Sequence, residues 1–422
     1  MAYFSSKVRN VSLWTANGAR CQIAPDSTYA AYDYIGTDSM YDIRLAFLDR
    51  PGRYIELTKG KAGVPQLNNG NPAFHPLWPA VPIIVFTSEA PEHYFDHIPS
   101  VGDPGVGLFH DVWAMNVSTG RVYKLTNYPI KMTLEDGIVT TGSVFPRFNT
   151  DGTKLLWTHR YASGGGVSTA SDWGKWRLIE ANFSVSRGRP SLGTQATVYD
   201  PDVATTGVGN YVVSTAGYIP NTDVVVMASN HDGQHEYNMD LYLLDISAHL
   251  AAGGVGSAGI ANLMPLWGAG TWEEGSAICP ISVPGGGFAG AAGHKILYMS
   301  SKTTPFAIDY NQDWGGQEKW NELWYMTTDG LVKDQLTKFN KYVPVIGGGG
   351  PGANIDDSGM NEGQGVYDEF IRPYGRAHPA VMGFSPDGLI ILAAVGSRAD
   401  APYPEEGTHI ISIYRIDLNE LL

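Results

Sequence analysis

The sequence predicts an all-β protein, and specifically a single β-propeller with six blades. Three observations predict this fold. The 422 residues include 51 Gly, 23 Tyr and 11 Trp, while only 17% are charged, below the ~25% of an average soluble domain. Two kinds of β-hairpin recur along the chain. The N-terminal residues also form an apolar strand that has no partner nearby in the sequence.

The first hairpin unit is a strand, a tight Asp-Gly turn and a second apolar strand. It reads FPRFNTDGTKLLWT at 145–158 and HPAVMGFSPDGLIILAA at 378–394. An Asp-Gly pair between two apolar runs is typical of a β-hairpin. The second unit is a strand, a turn and a strand ending in Leu-Thr. It reads DVWAMNVSTGRVYKLT at 111–126, ELWYMTTDGLVKDQLT at 322–337 and, in a degenerate copy, DIRLAFLDRPGRYIELT at 42–58.

Alternation of these two hairpins gives four strands per repeat, which is the blade of a β-propeller. The repeat resembles that of TolB-like propellers at 111–126, 145–157, 322–337 and 384–392. The resemblance implies the propeller fold. Because TolB-like propellers commonly serve as scaffolds, it also implies a protein partner.

Six blades follow from the order of the hairpins. The inner hairpins are predicted to begin near Ala19, Ala73, Val144, Tyr211, Ser276 and Ala377. The outer hairpins are predicted to begin near Tyr41, His110, Lys175, Met239, Asn321 and His409. The last repeat, IISIYRIDL at 410–418, has no fourth strand, so KVRNVSLW at 7–14 is predicted to supply it and to remove two exposed sheet edges. Seven blades are the alternative, if 181–213 or 343–372 contains one more.

The whole chain, 1–422, is then one domain with connections of unequal length. The strands of a blade are named A to D from the axis outward. The A–B and C–D turns lie at one end, the short-turn face, and the B–C and D–A connections lie at the other, the long-loop face. The long-loop face includes a Gly-rich loop at 340–376, and eight of the 11 His lie in or beside its loops. Because long loops in a compact domain are usually functional, this face is the predicted functional face.

Polar and aromatic side chains at the predicted ends of inner strands are the candidate site. The catalytic candidates are His159, Tyr161, His378 and Arg376. The substrate-binding candidates are Arg160, Arg372, Tyr374, Trp173 and Trp314, because aromatic faces stack on sugars and suit a wet cleft. The alternative is that the two His only fasten the loops by hydrogen bonds.

Two functions follow from this set, and both rest on fold-level resemblance. The fold resembles that of polysaccharide lyases such as oligogalacturonate and ulvan lyases, which implies β-elimination on a uronate with a His base, a Tyr acid and an Arg or a metal as neutraliser. The other is a non-catalytic TolB-like binding or assembly module that docks a protein partner through the long-loop face. A calcium-dependent lactonase is a third option, but its ligands would have to come from several blades.

Two loops carry candidate metal ligands. NHDGQHEYN at 230–238 contains His231 and His235, which suit a transition metal. DYNQDWG at 309–315 places Asp309, Asn311 and Asp313 at alternate positions, which suits calcium. The alternative is that both loops are polar turns that bond their own backbone. Haem and nucleotide cofactors are not expected, because the sequence has neither a Cys-x-x-Cys-His motif nor a phosphate-binding loop.

Charge and hydropathy argue against nucleic-acid and membrane partners, which leaves the carbohydrate or protein partner expected above at the long-loop face. A net charge of −14 argues against nucleic-acid binding, and no run approaches the ~20 apolar residues of a membrane span. The N-terminus lacks the apolar core of a signal peptide. The protein is therefore expected to be periplasmic or extracellular if a leader has been removed, and cytoplasmic otherwise.

Overall fold

The predicted six-bladed β-propeller is confirmed by the sheet topology. The computed structural model describes residues 5–91, 104–105, 107–129, 131–134, 137–162, 175–204, 213–231, 239–264, 271, 273–286, 292–302, 321–337, 377–398 and 409–422. These residues form six four-stranded antiparallel sheets. The innermost strand of each blade contacts the innermost strand of the next, and the sixth contacts the first, so that the ring is closed.

The first three blades follow one another along the chain. Blade 1 contains β2 (Gly18–Ile23), β3 (Tyr29–Ile35), β4 (Tyr41–Phe47) and β5 (Arg50–Glu56). Blade 2 contains β6 (Asn69–Phe74), β7 (Ile83–Glu89), β8 (His110–Asn116) and β9 (Arg121–Lys124). Blade 3 contains β12 (Gly142–Phe148), β13 (Lys154–Ala162), β14 (Lys175–Ser186) and β15 (Arg189–Tyr199). An extra hairpin, β10 (Lys131–Leu134) and β11 (Gly137–Thr140), lies between blades 2 and 3 and was not predicted.

The last three blades complete the ring. A short helix, α1 (Pro201–Ala204), precedes blade 4, which contains β16 (Val213–Tyr218), β17 (Val224–Ser229), β18 (Asp240–Asp245), α2 (Ile246–Ala251) and β19 (Ile260–Asn262). Blade 5 contains β20 (Glu273–Gly286), β21 (Ala292–Ser300), β22 (Glu322–Thr327) and β23 (Lys333–Gln335). Blade 6 contains β24 (Ala377–Phe384), β25 (Ile390–Arg398), β26 (His409–Leu418) and the N-terminal β1 (Val8–Ala16).

Blade 6 is closed by the N-terminal strand, as predicted. β1 pairs antiparallel with β26 and places Val11 opposite Ile416. Both side chains are buried in the same apolar cluster. The first and last strands of the chain therefore share one sheet, so that β26 is not left as an open edge.

Alternating residues of a strand hold neighbouring blades together, because successive side chains point to opposite faces of a sheet. In β13, Leu155 and Trp157 belong to the apolar cluster shared with blade 2. Leu156, between them, belongs to the cluster shared with blade 4. Both faces of the blade are therefore buried, which explains why the strands read as nearly continuous apolar runs.

Each innermost strand carries a register shift that the sequence did not reveal. In blade 3 the shift lies between Val144 and Arg147, and Phe145 between them has φ +52°. Comparable shifts interrupt the innermost strands of the other five blades. A β-bulge of this kind bends the strand and re-aims the side chains after it, and in blade 3 that side chain is Arg147.

Candidate functional site

The structure describes only part of the predicted site. His159, Arg160, Tyr161 and His231 are described, and His378 lies in β24. The other candidates and the Gly-rich loop at 340–376 lie outside the described residues: Trp173, His235, Asp309, Asn311, Asp313, Trp314, Arg372, Tyr374 and Arg376.

His159 is packed into blade 3 with only 3% of its surface exposed. Its Nδ1–H donates to the carbonyl oxygen of Gly142 at 3.0 Å. Its ring stacks on Tyr128, with the ring centroids 3.8 Å apart. Burial, together with the nearby Arg177 guanidinium, lowers the pKa of His159 to about 3. The imidazole is therefore neutral at physiological pH.

Tyr161 lies two residues further along the strand and makes a hydrogen bond of its own. Its hydroxyl donates to Asp200 Oδ1 at 2.9 Å, and the Arg177 guanidinium lies 4.5 Å from the centre of its ring. Burial and the Asp200 carboxylate raise the pKa of Tyr161. Arg160, between His159 and Tyr161, is buried. The catalytic roles of His159 and Tyr161 stay predictions. The Arg177 guanidinium lies near both side chains, but their described hydrogen bonds go to different partners.

His231 lies between blades 3 and 4 with both ring nitrogens close to protein hydroxyls. Nδ1 is 2.7 Å from the Tyr199 hydroxyl oxygen, and Nε2 is 3.5 Å from Ser257 Oγ. The ring also packs edge-on against Tyr242. Within the part of the chain that the structure describes, no cluster of three or more His, Cys, Asp or Glu side chains could hold a metal ion. Both metal sites stay predictions.

A pocket of about 290 Å³ lies on the propeller axis at the short-turn face. The innermost strands of all six blades line it, through Ile23, Phe74, Arg147, Tyr218, Ile278 and Phe384 among others. Five of the blades also contribute a proline to the lining: Pro25, Pro76, Pro220, Pro280 and Pro386. The sequence patterns did not predict this pocket, although a proline two residues after the end of four innermost strands was a signal that could have found it.

Arg147 is the charged group of this pocket. Its Nη1 donates to the carbonyl oxygen of Pro146 at 3.0 Å. Its aliphatic stem crosses Gly217, where φ is +118° and where the Cβ of any larger residue would lie 3.4 Å from Arg147 Cβ. Burial lowers the pKa of Arg147 to about 10, so that the guanidinium is still protonated at neutral pH. No carboxylate is found among the described residues that line the pocket.

The thiol of Cys21 also lines the pocket and is neutral, because burial and the Asp33 carboxylate raise its pKa. The guanidinium of Arg147 is therefore the only charge that the described lining carries at neutral pH. A cationic pocket in a protein with a net charge of −14 is a local exception.

Among the described residues, exposed apolar side chains are concentrated in the connections of the same face. Ten large apolar residues are exposed in the described structure, and six of them lie in A–B or C–D connections or after the end of β26. These six are called the apolar rim: Leu77, Leu250, Val255, Leu331, Val332 and Leu421. Leu331, at the tip of the C–D turn of blade 5, is 83% exposed.

Comparisons with known proteins found similar solved structures but no matching family. No family model and no curated protein sequence matches the chain. TolB from Acinetobacter baumannii is similar, with a TM-score of 0.40 and 11% identity over 99% of this chain and 66% of that one. A puromycin-hydrolyzing peptidase from Mycobacterium tuberculosis gives 0.40 and 11%, over 99% of this chain and 55% of that one. The propeller domain of the Trilobed protease from Pyrococcus furiosus gives 0.38 and 10%, over 96% of both chains.

The fold of the chain is that of a six-bladed β-propeller. The repeat units that resemble those of TolB-like propellers occupy the outer hairpins of blades 2 and 5 and the inner hairpins of blades 3 and 6. This chain spans only 66% and 55% of the length of the first two structures named above. Among the residues described, no helix has both the length and the apolar character needed to cross a membrane.

Proposed function

We propose that this propeller is a non-catalytic binding module that docks a polypeptide partner through its short-turn face. The observation that carries the proposal is the coincidence, on one face, of the axial pocket and the apolar rim. A pocket and exposed apolar side chains on one face of a protein are typical of an interaction site. The binding alternative drawn from the sequence used the long-loop face. We prefer the short-turn face because, within the part of the chain that the structure describes, it carries both features.

The described contacts of the sequence-predicted catalytic pair support a role without turnover. A histidine with a pKa of about 3 is a weak base, whereas an efficient general base has a pKa near the working pH. The proton of Tyr161 is directed at Asp200 and not at an open cleft. We therefore rank binding above the β-elimination chemistry that the lyase resemblance implied.

Selection of peptide ligands on the purified protein tests the docking face. Short random peptides would be selected for binding, and their affinity compared between the wild type, Leu331→Asp and Val203→Asp. Val203 is the matched control, since it is also exposed but lies in α1 on the long-loop face. The proposal expects Leu331→Asp to weaken binding by about tenfold, a 1.4 kcal/mol effect, and Val203→Asp to leave it unchanged. The reverse order would place docking on the long-loop face.

Incubation with a panel of uronate polysaccharides tests the absence of turnover. A lyase product contains a new carbon–carbon double bond, which is followed by its ultraviolet absorbance. The proposal expects no absorbance change. Turnover by the wild type that is lost in His159→Ala would overturn the proposal and favour the lyase and a carbohydrate partner. The expected compartment, periplasmic or extracellular after loss of a leader and cytoplasmic otherwise, stays a prediction.

A further inference from the structure

We infer that the axial pocket binds the C-terminal carboxylate of a polypeptide whose last residue is apolar, with Arg147 as the anion-binding group. The inference rests on the proposed function and names the chemistry of its partner. It depends on three features of the pocket: a cation without a counter-charge, apolar side chains in the lining, and an edge over which the partner's chain can leave.

The cation is the first feature. A guanidinium presents five N–H donors in a planar fork that fits both oxygens of a carboxylate. In the described structure the only hydrogen bond of the Arg147 side chain is to the carbonyl of Pro146, directly before it in sequence. A half-buried cation without a counter-charge is unfavourable, and binding of an anion relieves that cost. The pocket is therefore complementary to an anion.

The lining determines which side chain can enter the pocket together with the carboxylate. Around Arg147 the walls include the apolar side chains of Ile23, Phe74, Phe148 and Phe384, beside the polar Gln22 and Ser276. A C-terminal residue carries its carboxylate and its side chain on the same Cα, so an apolar one can occupy both parts of the pocket. The carboxylate of an internal Asp or Glu brings flanking peptide groups whose polar atoms would need hydrogen-bond partners in these walls. The lining therefore favours a chain end.

The edge of the pocket allows the rest of the partner's polypeptide chain to leave the pocket. Prolines contribute no backbone N–H groups, so the five prolines of the lining present an apolar edge to a peptide that crosses it. The apolar rim lies on the same face, with Leu331 and Val332 at the C–D turn of blade 5. The residues that precede the C-terminus of the partner would lie against these side chains.

Titration with small carboxylates tests this site without the partner. N-acetyl-L-leucine carries an α-carboxylate on an apolar residue, N-acetyl-L-leucinamide is its neutral isostere, and N-acetyl-L-isoglutamine carries only a side-chain carboxylate. Binding is followed by NMR in a chloride-poor buffer. N-acetyl-L-leucine is expected to bind with a Kd on the order of 1 mM, and the other two at least about tenfold more weakly. Added chloride is expected to weaken binding by competition.

Variants assign the effect to Arg147. Arg147→Gln is expected to lose the preference for the acid over the amide, and Arg147→Lys to retain part of it, since an ammonium keeps the charge but not the fork. Arg121→Gln is the matched control, because Arg121 is exposed in β9 and does not line the pocket. If Arg147→Gln fails to fold, the comparison of the three ligands on the wild type and on Arg147→Lys decides the question.

Several results would overturn the inference. These are equal binding of acid and amide, tighter binding of N-acetyl-L-isoglutamine, an effect of Arg121→Gln as large as that of Arg147→Gln, or no binding of N-acetyl-L-leucine to the folded wild type. A failure of this inference can be distinguished from a failure of the proposed function. If peptide binding depends on Leu331 but not on a free C-terminus, the docking function stands and only the carboxylate site fails.

Discussion

The Thr126 hydroxyl donates to Asp111 Oδ1 at 2.7 Å and links the end of strand D in blade 2 to the start of strand C. The same Thr126 oxygen accepts a hydrogen bond from the backbone N–H of Val112 at 2.8 Å. The pair recurs in two other blades, as Thr58 with Asp42 and as Thr337 with Glu322, each at 2.7 Å. The Leu-Thr ending that marks the repeat in the sequence is therefore a fastening of the outer hairpin.

Replacement of Thr126 by valine tests this fastening. Thr126→Val keeps the shape of the side chain, but it leaves the buried N–H of Val112 without a partner and removes one hydrogen bond from Asp111. An unsatisfied buried polar group costs about 1–3 kcal/mol, so the free energy of unfolding should fall by that amount in denaturant titrations. Thr197→Val, on an exposed position of β15, should stay within about 0.5 kcal/mol of the wild type. Equal effects of the two changes would contradict the assigned role.

Closure of the ring by β1 can be tested at two positions of the same strand. Val11 is buried against blade 6, while Leu13 is 52% exposed. Val11→Asp places a carboxylate in an apolar core and should reduce the free energy of unfolding by about 3 kcal/mol or more. Leu13→Asp should have little effect. If both substitutions are tolerated equally in thermal unfolding, β1 does not contribute to the stability of the ring.

The outer hairpins could be predicted from the sequence because their signals are local. Blade 1 and blade 2 begin strand C at Tyr41 and His110, as expected from the Leu-Thr units. The turn at Asp151 closes the inner hairpin of blade 3 as expected, since Asp151 accepts hydrogen bonds from the backbone and hydroxyl of Thr153. Turn hydrogen bonds of this kind depend on residues adjacent in the chain, so a repeated sequence pattern is enough to predict them.

The axial pocket could not be predicted in this way because its parts are distant in sequence. The inner strand of blade 2 begins at Asn69, four residues before the predicted Ala73, because a register shift between Gly70 and Ala73 interrupts the alternation. Bulges of this kind depend on how six strands meet at the axis. The position of Arg147 follows from the bulge of its own strand and from a glycine in the next blade, Gly217. Neither relationship is visible in the local pattern.

The free energy of unfolding should decrease as the pH rises, because the buried carboxyl group of Glu273 resists ionisation in the folded state. This side chain is fully buried at the long-loop end of β20, and burial raises its pKa to about 8 despite a 2.7 Å hydrogen bond from the Ser300 hydroxyl. Between its ordinary pKa of 4.5 and about 8 the folded state holds a proton that the unfolded state has lost. The free energy of unfolding should therefore decrease by up to about 1.4 kcal/mol per pH unit in this window through this group.

Glu273→Gln is expected to remove this contribution, because an amide keeps the shape of the side chain and does not ionise. The variant and the wild type should be similar in stability near the acidic end of the window, and the variant more stable near its alkaline end. Glu420→Gln is the control, since that carboxylate is 66% exposed and pairs with Lys7 at the surface. A wild-type pH slope that survives in Glu273→Gln would assign the pH dependence to other groups.

Both thiols should be unreactive in the folded protein and react after unfolding. Cys21 and Cys279 are each only 3% exposed, and burial raises the pKa of both. The thiolate is the reactive form, so a disulfide reagent added at neutral pH should modify neither residue until the chain opens. Labelling of Cys21 is the sharper test, because this residue lines the axial pocket. Its thiol donates a hydrogen bond to the carbonyl oxygen of Leu392 at 3.7 Å.

Measured on Cys279→Ser, the rate of Cys21 labelling should follow the rate of unfolding across denaturant concentrations. A ligand that fills the pocket should slow the labelling of Cys21 only to the extent that it stabilises the folded protein. Labelling of Cys21 that is fast without denaturant, while the circular dichroism spectrum stays native, would show that the thiol is reachable and ionised from the pocket. The electrostatics assigned to Arg147 would then be wrong, since a stable thiolate beside it would neutralise the guanidinium and remove the reason for an anion to bind.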